Sequence, residues 1–552
     1  MFDEIKINQA MKEEYLAKGY WNDTTMLDCW EATLAKYPDC EYVIDDSGNR
    51  FTYAQMDDMS SRLAAYLYEQ GVRAGDTLTY QLAIRYEFPV TMIAAWKLGC
   101  VSHPMEMTFQ APDIGRFMEM TGSVAYLGPT TIGPKDYVGR IEKVRETNPN
   151  VKAVVYMDNE SPIPEGHDGI SFREIFEKYE PMDKSQYARV SAQDIMLILC
   201  TSGTTGGTKG VLLTHDNIRY SESVFNEELG LGHDDVMYMP APLCHATGFN
   251  HGLVGPMLAG GKVFLQQNYS VSRAIDTINA EGITYSMGAT PIIYDIIHHI
   301  QKNGGAIPSM RFYLCGGAPV PGYMVHAAHE LGILLCEVYG STESCPHTFV
   351  RPSEALELNG TTSGRAIAGV EVKLIDENGN DVPPGGQGEE LSRGPQVYVG
   401  YLKQRDITDG VLDDDGWFHS GDLCTIDEKG NIHVIGRLKD MLLRGGYSLS
   451  INEINDNLEG YPGIKDHDIV GEPDDRMGEK ICAFLVPEDG ADTSKMTLEN
   501  VIAYLREKEV QKKLWPERVE LIDAIPRTAS GKTQRFKLID EIKERNKKAK
   551  GE

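Results

Sequence analysis

The chain has 552 residues and a formal charge of −29, with 41% hydrophobic and 24% charged residues. That length is more than one core can use, so at least two domains are expected, of ordinary globular composition. The acidity argues against nucleic acid and anionic membranes as partners, though not against an anionic small molecule in a local basic pocket, and no apolar run is long enough to span a bilayer.

The start, "MFDEIKINQAMKEEYL", is too charged for a signal peptide, and the expectation is a cytoplasmic protein. The ten cysteines show no metal-ligand or CxxC spacing, which suits reduced packing cysteines. "FTYAQMDDMSSRLAAYLYEQGVRAGD" (51–76) reads as an amphipathic helix closed by a glycine turn, "TLTYQLA" as a strand, and "EFPVTMIAAWKLGCVSHPM" as a helix entering a strand. "VKAVVYM" (151–157) and "IMLILC" (195–200) are buried strands.

After them comes "TSGTTGGTKG", an unbroken run of Gly, Ser and Thr ending in Lys209. It is not the P-loop of nucleotidases, which needs Gly-Lys-Ser/Thr after four residues and a helix behind it. Here "GVLLTH" reads as a second short strand, and the helix pattern starts only near Asp216. A strand–loop–strand of hydroxyls and bare N–H groups is left to hold an anion. A plain surface turn is the simpler reading of such a loop, but the length of the run between apolar segments argues against it.

"SVSRAIDTINAEGITYSMGATPIIYDIIHHI" reads as helix, strand, Pro break and helix, and "MRFYLCGGAPV" as a strand entering a Gly-rich turn. Helices alternating with β-branched strands indicate α/β layers around largely parallel sheets. After about Glu371, "VEVKLIDENGNDVPPGGQGEELSRGP" and "CTIDEKGNIHVIGR" read as hairpins with Asn-Gly and Lys-Gly turns, a smaller β unit. The rest is an α+β piece with helices near "SINEINDNLEG" and "TLENVIAYLREKEV". The expected division is an N-terminal domain over 1–436, a hinge at 437–440 and a small mobile C-terminal domain over 441–552.

Four further segments carry polar chemistry. "CGGAPV" offers bare backbone at a strand end, where α/β folds bind ligands. "VYGSTES" groups an aromatic ring, hydroxyls and a carboxylate. "HSGDLC" puts Asp422 on a turn, and "PRTASGKTQR" puts Lys532 on a Gly turn near the end of the chain. Singly, Asp422 is a turn residue, Glu343 a solvated or capping carboxylate and Lys532 a surface lysine. Together with the Lys209 loop they compose an ATP site. The loop takes the β- and γ-phosphates, Glu343 holds Mg²⁺ through oxygen, and Asp422 takes the sugar.

The five segments resemble those of the AMP-forming adenylating superfamily, which includes acyl-CoA synthetases, luciferases and peptide-synthetase adenylation domains. The resemblance runs from about Thr25 to Phe536. "MPAPLCHATGFNHG", "MGATPIIYDII", "LCGGAPVP" and "VYGSTESCPH" look most like bacterial short- and medium-chain fatty acyl-CoA synthetases.

The resemblance implies roles by position. Thr201, Ser202, Thr204, Thr205 and Lys209 form a mobile phosphate loop. Gly317, Ala318 and Pro319 line the adenine shelf, with Tyr339 stacked on the base. Thr342 contacts the α-phosphate and Glu343 binds Mg²⁺. Asp422 and Arg437 hold the ribose, and Lys439 is the hinge. Gly445 and Gly446 flank the channel for the pantetheine arm of coenzyme A. Lys532 bridges the carboxylate and the α-phosphate. His245, Phe249 and Gly288 belong to the acyl pocket.

The implied reaction joins a carboxylic acid to coenzyme A with ATP and Mg²⁺, by way of an acyl-adenylate and pyrophosphate. Pocket segments rich in Gly, Ala and Thr, without an obvious cation, favour an apolar acid of modest size. Medium-chain fatty acids lead. Cyclic, aromatic and bile-type acids, a non-CoA acceptor, and a non-catalytic acyl or nucleotide sensor are the alternatives. A homodimer is an open expectation. One departure stands out: the family's loop lysine usually follows Pro or a small or apolar residue, and here it follows Thr208.

Overall fold

The computed structural model describes residues 5–132, 135–157, 162–202, 208–317, 320–358, 360–438, 441–526, 533 and 535–550. Among these, the strand-forming runs assemble into two large sheets in the N-terminal part. The nine-stranded sheet has a parallel centre that includes Val236–Met239, Tyr285–Ala289, Phe312–Gly316 and Leu334–Tyr339. Register pairs Gly288 with Cys315, Ala289 with Gly316, and Gly316 with Val338. The segments "MGATP", "CGGAPV" and "VYGSTES" therefore emerge side by side from the carboxyl ends of adjacent parallel strands, where open α/β sheets hold ligands.

The seven-stranded sheet runs parallel through Thr77–Tyr80, Val101–Pro104, Ala125–Gly128 and Ala153–Tyr156. Ile195–Ser202 joins it parallel, and Thr208–Thr214 turns back antiparallel on its edge. Helix Glu87–Leu98 is buried along its whole length. It shares one core with apolar residues of both sheets, such as Leu78, Met196, Met237 and Tyr285. A helix this apolar needs that kind of cover, and its two charges are paired, Glu87 with Arg85 and Lys97 with Asp57. Helix Tyr53–Glu69 starts where Thr52 and Gln55 close a capping box. The predicted Pro break is the first turn of helix Thr290–Asn303, since Pro291 sits where no N–H is needed.

The β unit is a four-stranded antiparallel sheet. Its predicted hairpins pair Glu371–Ile375 with Gln387–Arg393, and Phe418–Ile426 with Ile432–Arg437. The latter pairing sets Asp422 opposite Arg437.

Beyond Met441 lies a separate five-stranded sheet with its own core, containing Leu442, Ile454, Ile481 and Leu505. Both predicted helices are present, as Ile451–Leu458 and Leu498–Glu507. The long hairpin of Ile464–Asp474 with Gly478–Pro487 was not read from sequence. Its first strand is broken by charges and a proline, and its order comes from cross-strand pairing. Among the described residues, no helix is long and apolar enough to cross a membrane.

Candidate active site

The phosphate-loop reading falls on a hairpin whose register pairs Thr201 with Lys209 and Ser202 with Thr208. Helix His215–Leu229 starts only after the second strand, so strand–loop–strand is the observed geometry. Thr204 and Thr205 lie outside the described residues. The return strand is flanked by the segment around Tyr401: Leu212 N–H donates to Gly400 O (2.9 Å) and Leu402 N–H to Gly210 O (2.8 Å).

That flank places Tyr401 under the lysine. Lys209 Nζ lies 4.6 Å from the centre of the Tyr401 ring, and the Tyr401 hydroxyl donates to Glu343 Oε1 at 2.7 Å. Tyr398 N–H donates to the Glu343 carbonyl at 2.7 Å. Burial, reinforced by the Glu343 charge, pushes the Tyr401 phenol far above its ordinary range. It remains a donor, and its π face meets the buried cation. Lys209 and Glu343, 134 residues apart in the sequence, are thus joined through one side chain that sequence reading missed.

A second group forms around Tyr339. Its hydroxyl donates to Asp422 Oδ2 at 2.7 Å and to Glu390 Oε2 at 3.2 Å. Glu390 also faces His347 Nε2 at 3.2 Å. Burial opposes protonation of His347, but the Glu390 charge outweighs it and raises the imidazole. Tyr339, Asp422 and the backbone of Arg437 thus share one corner.

Glu337, also missed, fixes the neighbouring turn. It accepts from Val320 N–H at 2.9 Å and from Ser363 Oγ at 2.6 Å. Burial pushes its carboxyl up to about 7 in spite of those bonds. Gly317 takes φ +86° beside it, while Ala318 and Pro319 lie outside the described residues.

The C-terminal unit reaches the same edge. A Cβ on Gly317 would lie 2.9 Å from Gly446 Cα, and one on Gly446 would lie 2.9 Å from Ala289 Cβ. Gly445 and Gly446 have φ of +55° and +85°, and only glycine combines those angles with so close an approach. Next to them, the Tyr447 ring meets His245 edge-on at 5.4 Å. A Cβ on Gly288 would lie 2.6 Å from the Tyr313 hydroxyl. Phe249 is fully buried, its ring edge-on to Phe88. Lys439 and Lys532 lie outside the described residues.

Glu343 is half-buried beside Thr342 and holds a neutral phenol rather than a cation on Oε1. A hard carboxylate oxygen among hydroxyls fits Mg²⁺. A lysine on the hairpin and a carboxylate of that chemistry thus lie on either side of Tyr401.

The family model described as "AMP-binding enzyme" matches residues 30–402. That of the AMP-binding enzyme C-terminal domain matches 453–532. The medium-chain fatty-acid–CoA ligase of Escherichia coli (strain K12) is 35% identical over 541 residues, 98% of this chain and 94% of that protein. A feruloyl-CoA synthase of an Amycolatopsis species is 30% identical, covering 92% of this chain and 97% of its own. Among solved structures, the o-succinylbenzoate CoA synthetase of Bacillus subtilis, bound to a product analogue, superposes with a TM-score of 0.79. Its identity is 23%, with 93% of this chain and 98% of that chain covered.

Proposed function

The chain belongs to the AMP-binding enzyme family and is an AMP-forming acid–thiol ligase, and on that premise we propose that it joins an apolar, medium-chain fatty acid to coenzyme A. The observation that carries the two-step reading is the approach of Gly446 to Gly317 and Ala289, beside His245. It brings the proposed thiol channel to the strand ends that carry the nucleotide residues.

In the first step a carboxylate oxygen of the acid attacks the α-phosphorus of ATP, and pyrophosphate leaves. The obstacle is charge, since an anion approaches three phosphates. Lys209 meets the β- and γ-phosphates, with Tyr401 holding its ammonium in place. Glu343 would hold Mg²⁺, which when bound neutralises phosphate charge. Asp422, oriented by Tyr339, receives the ribose hydroxyls beside Arg437, and Lys532 bridges the carboxylate and the α-phosphate. Removing either lysine should slow adenylation about 10²–10³-fold, as loss of a preorganised electrostatic donor does.

In the second step the coenzyme A thiol attacks the acyl carbonyl, its proton passes to solvent, and AMP leaves. Gly445 and Gly446 flank the pantetheine path, and His245 and Tyr447 shield the adenylate from water. The domains we propose are 1–436 and 441–552 about a hinge at 437–440, with Lys439 as pivot. In support, one sheet ends at Arg437 and the next begins at Met441.

The acid preference draws on the 35% identity to a medium-chain ligase and on a pocket segment that supplies small residues and Met287. The test is pyrophosphate release across fatty, cyclic, aromatic and bile-type acids, with and without coenzyme A, the thioester being read by mass. Thioester formed mainly from medium-chain fatty acids is the expected result. Preference for an aromatic acid would overturn the substrate, and pyrophosphate without thioester would overturn the acceptor.

A further inference from the structure

Two ion pairs bridge the N-terminal part and the C-terminal unit, and both lead to the same two glycines. On one side Arg476 forms a forked pair with Asp295, Nε to Oδ1 at 2.9 Å and Nη2 to Oδ2 at 2.6 Å. The next residue, Met477, accepts the Gly445 N–H at 2.7 Å through its carbonyl. Asp295 lies on the helix that directly follows Ala289, the residue Gly446 touches.

On the other side Lys513 Nζ meets Glu106 Oε1 at 2.7 Å, with both side chains mostly enclosed. The same ammonium lies 5.5 Å from the centre of the Tyr447 ring, and Tyr447 follows Gly446. Thr108 Oγ1 donates to Glu106 Oε2 at 2.9 Å and fixes the carboxylate. His245 Nε2 lies 3.5 Å from its other oxygen, an ion-pair distance. Burial opposes ionisation of Glu106, yet His245 and Lys513 outweigh it and hold its carboxyl well below the usual range.

We propose that Glu106 and Asp295 are positioning residues for thioester formation, clamping Lys513 and Arg476 so that Gly445 and Gly446 stay pressed against Gly317 and Ala289. This rests on the reading of the two glycines as walls of the thiol path. Neither acid was singled out by motif. A clamp of ion pairs suits a unit that must also leave. The half-exposed Arg476 re-solvates readily when the unit leaves, while the enclosed Lys513–Glu106 pair gives the tighter hold.

The test uses the full chain and an acid that the wild type activates. Pyrophosphate release without coenzyme A reports adenylation, and transfer from preformed acyl-adenylate to coenzyme A reports the second step. Asp295→Arg and Arg476→Asp should each slow transfer about three- to fivefold and leave adenylation unchanged. The double swap Asp295→Arg/Arg476→Asp should restore transfer.

Lys513→Ala should slow transfer about tenfold or more, as loss of an enclosed partner does, with KM for coenzyme A unchanged. Small-angle scattering of the free protein gives a readout independent of chemistry: the radius of gyration should rise in the single variants and return in the swap. Single variants with unchanged transfer and scattering overturn the clamp. So does a swap that fails to restore them, or a Lys513→Ala effect confined to KM for coenzyme A. A wild type that forms adenylate but no thioester instead overturns the coenzyme A reading, and the scattering result still decides the clamp.

Discussion

Tyr401 decides how Lys209 and Glu343 behave as a pair. It is the side chain in contact with both the buried ammonium and the carboxylate. The phenol separates them, offering its π face to one and its proton to the other. Tyr401→Phe keeps the ring and removes the donor. It should lower the adenylation rate roughly 10- to 100-fold, the range for a lost hydrogen bond to a charged group at about 1.5–3 kcal/mol. The readout is a pyrophosphate burst with ATP and acid, and an unchanged burst would remove Tyr401 from the mechanism. His245 gives a pH prediction. Burial opposes its protonation, but Cys244 beside it and the Glu106 carboxylate outweigh that and push it up to about 10. Tyr447 packs edge-on to its ring, and Lys513 reaches it through Glu106. A histidine raised in the folded state adds stability that is fully present below its ordinary value near 6.5 and lost as pH rises through about 10. The melting temperature of the wild type should therefore exceed that of His245→Gln at pH 6.5, and the gap should close by pH 10. A gap that widens with pH would reverse the assignment. Lys209, Glu343 and Asp422 stood out in the sequence because motif segments carry them. Tyr401, Glu337 and Glu106 were not, since nothing local in "QVYVGYL", "LLCEVY" or "HPMEM" marks a tyrosine or a glutamate that acts through contacts made elsewhere in the chain.

At the scale of elements, the hairpin around Lys209 was readable because its signals are local: an apolar run, glycines and hydroxyls, then a second apolar run. The observed strands end and resume at Ser202 and Thr208. Thr208 opens the return strand, a position that tolerates proline because a first strand residue need not donate to the ladder. Thr208→Pro would fix φ there and remove freedom from the unfolded chain, worth about 0.4–1 kcal/mol where the geometry is compatible. The expected outcome is an unchanged or higher melting temperature and faster pyrophosphate release. A large fall in stability would mean that the Thr208 N–H carries a ladder bond. The segment closing over the pocket was less legible. "TGFNHGLV" forms a π-helical stretch, Thr247–Val254, held by an approach no motif announces: a Cβ on Gly248 would lie 2.3 Å from the carbonyl oxygen of Pro242. Backbone cannot step aside as a side chain can. Gly248→Ala should therefore lower the melting temperature and weaken acid binding while ATP binding is kept, checked by thermal denaturation and by KM for each substrate.

For the whole molecule, the order of units was readable while their mutual placement was not. Motif order reports which chemistry the chain carries, but the pose of the C-terminal unit is set by pairs far apart in sequence. Lys513 and Glu106 are 407 positions apart, and Arg476 and Asp295 are 181 apart. The observed pose brings Gly446 against Gly317 and Ala289. On the proposed roles the same unit also carries Lys532 for the first step, so one rigid arrangement has to serve two steps or the unit has to turn. Turning needs a pivot that changes φ and ψ, and Lys439 lies between the last strand of the β unit and the first of the C-terminal sheet. Proline there fixes φ near −65° and restricts the residue before it. Lys439→Pro should slow thioester formation and spare pyrophosphate release, measured as the ratio of the two half-reactions in one preparation. A variant that merely misfolds lowers both rates together, whereas a blocked pivot separates them, so equal loss would mean that the two steps do not need two poses.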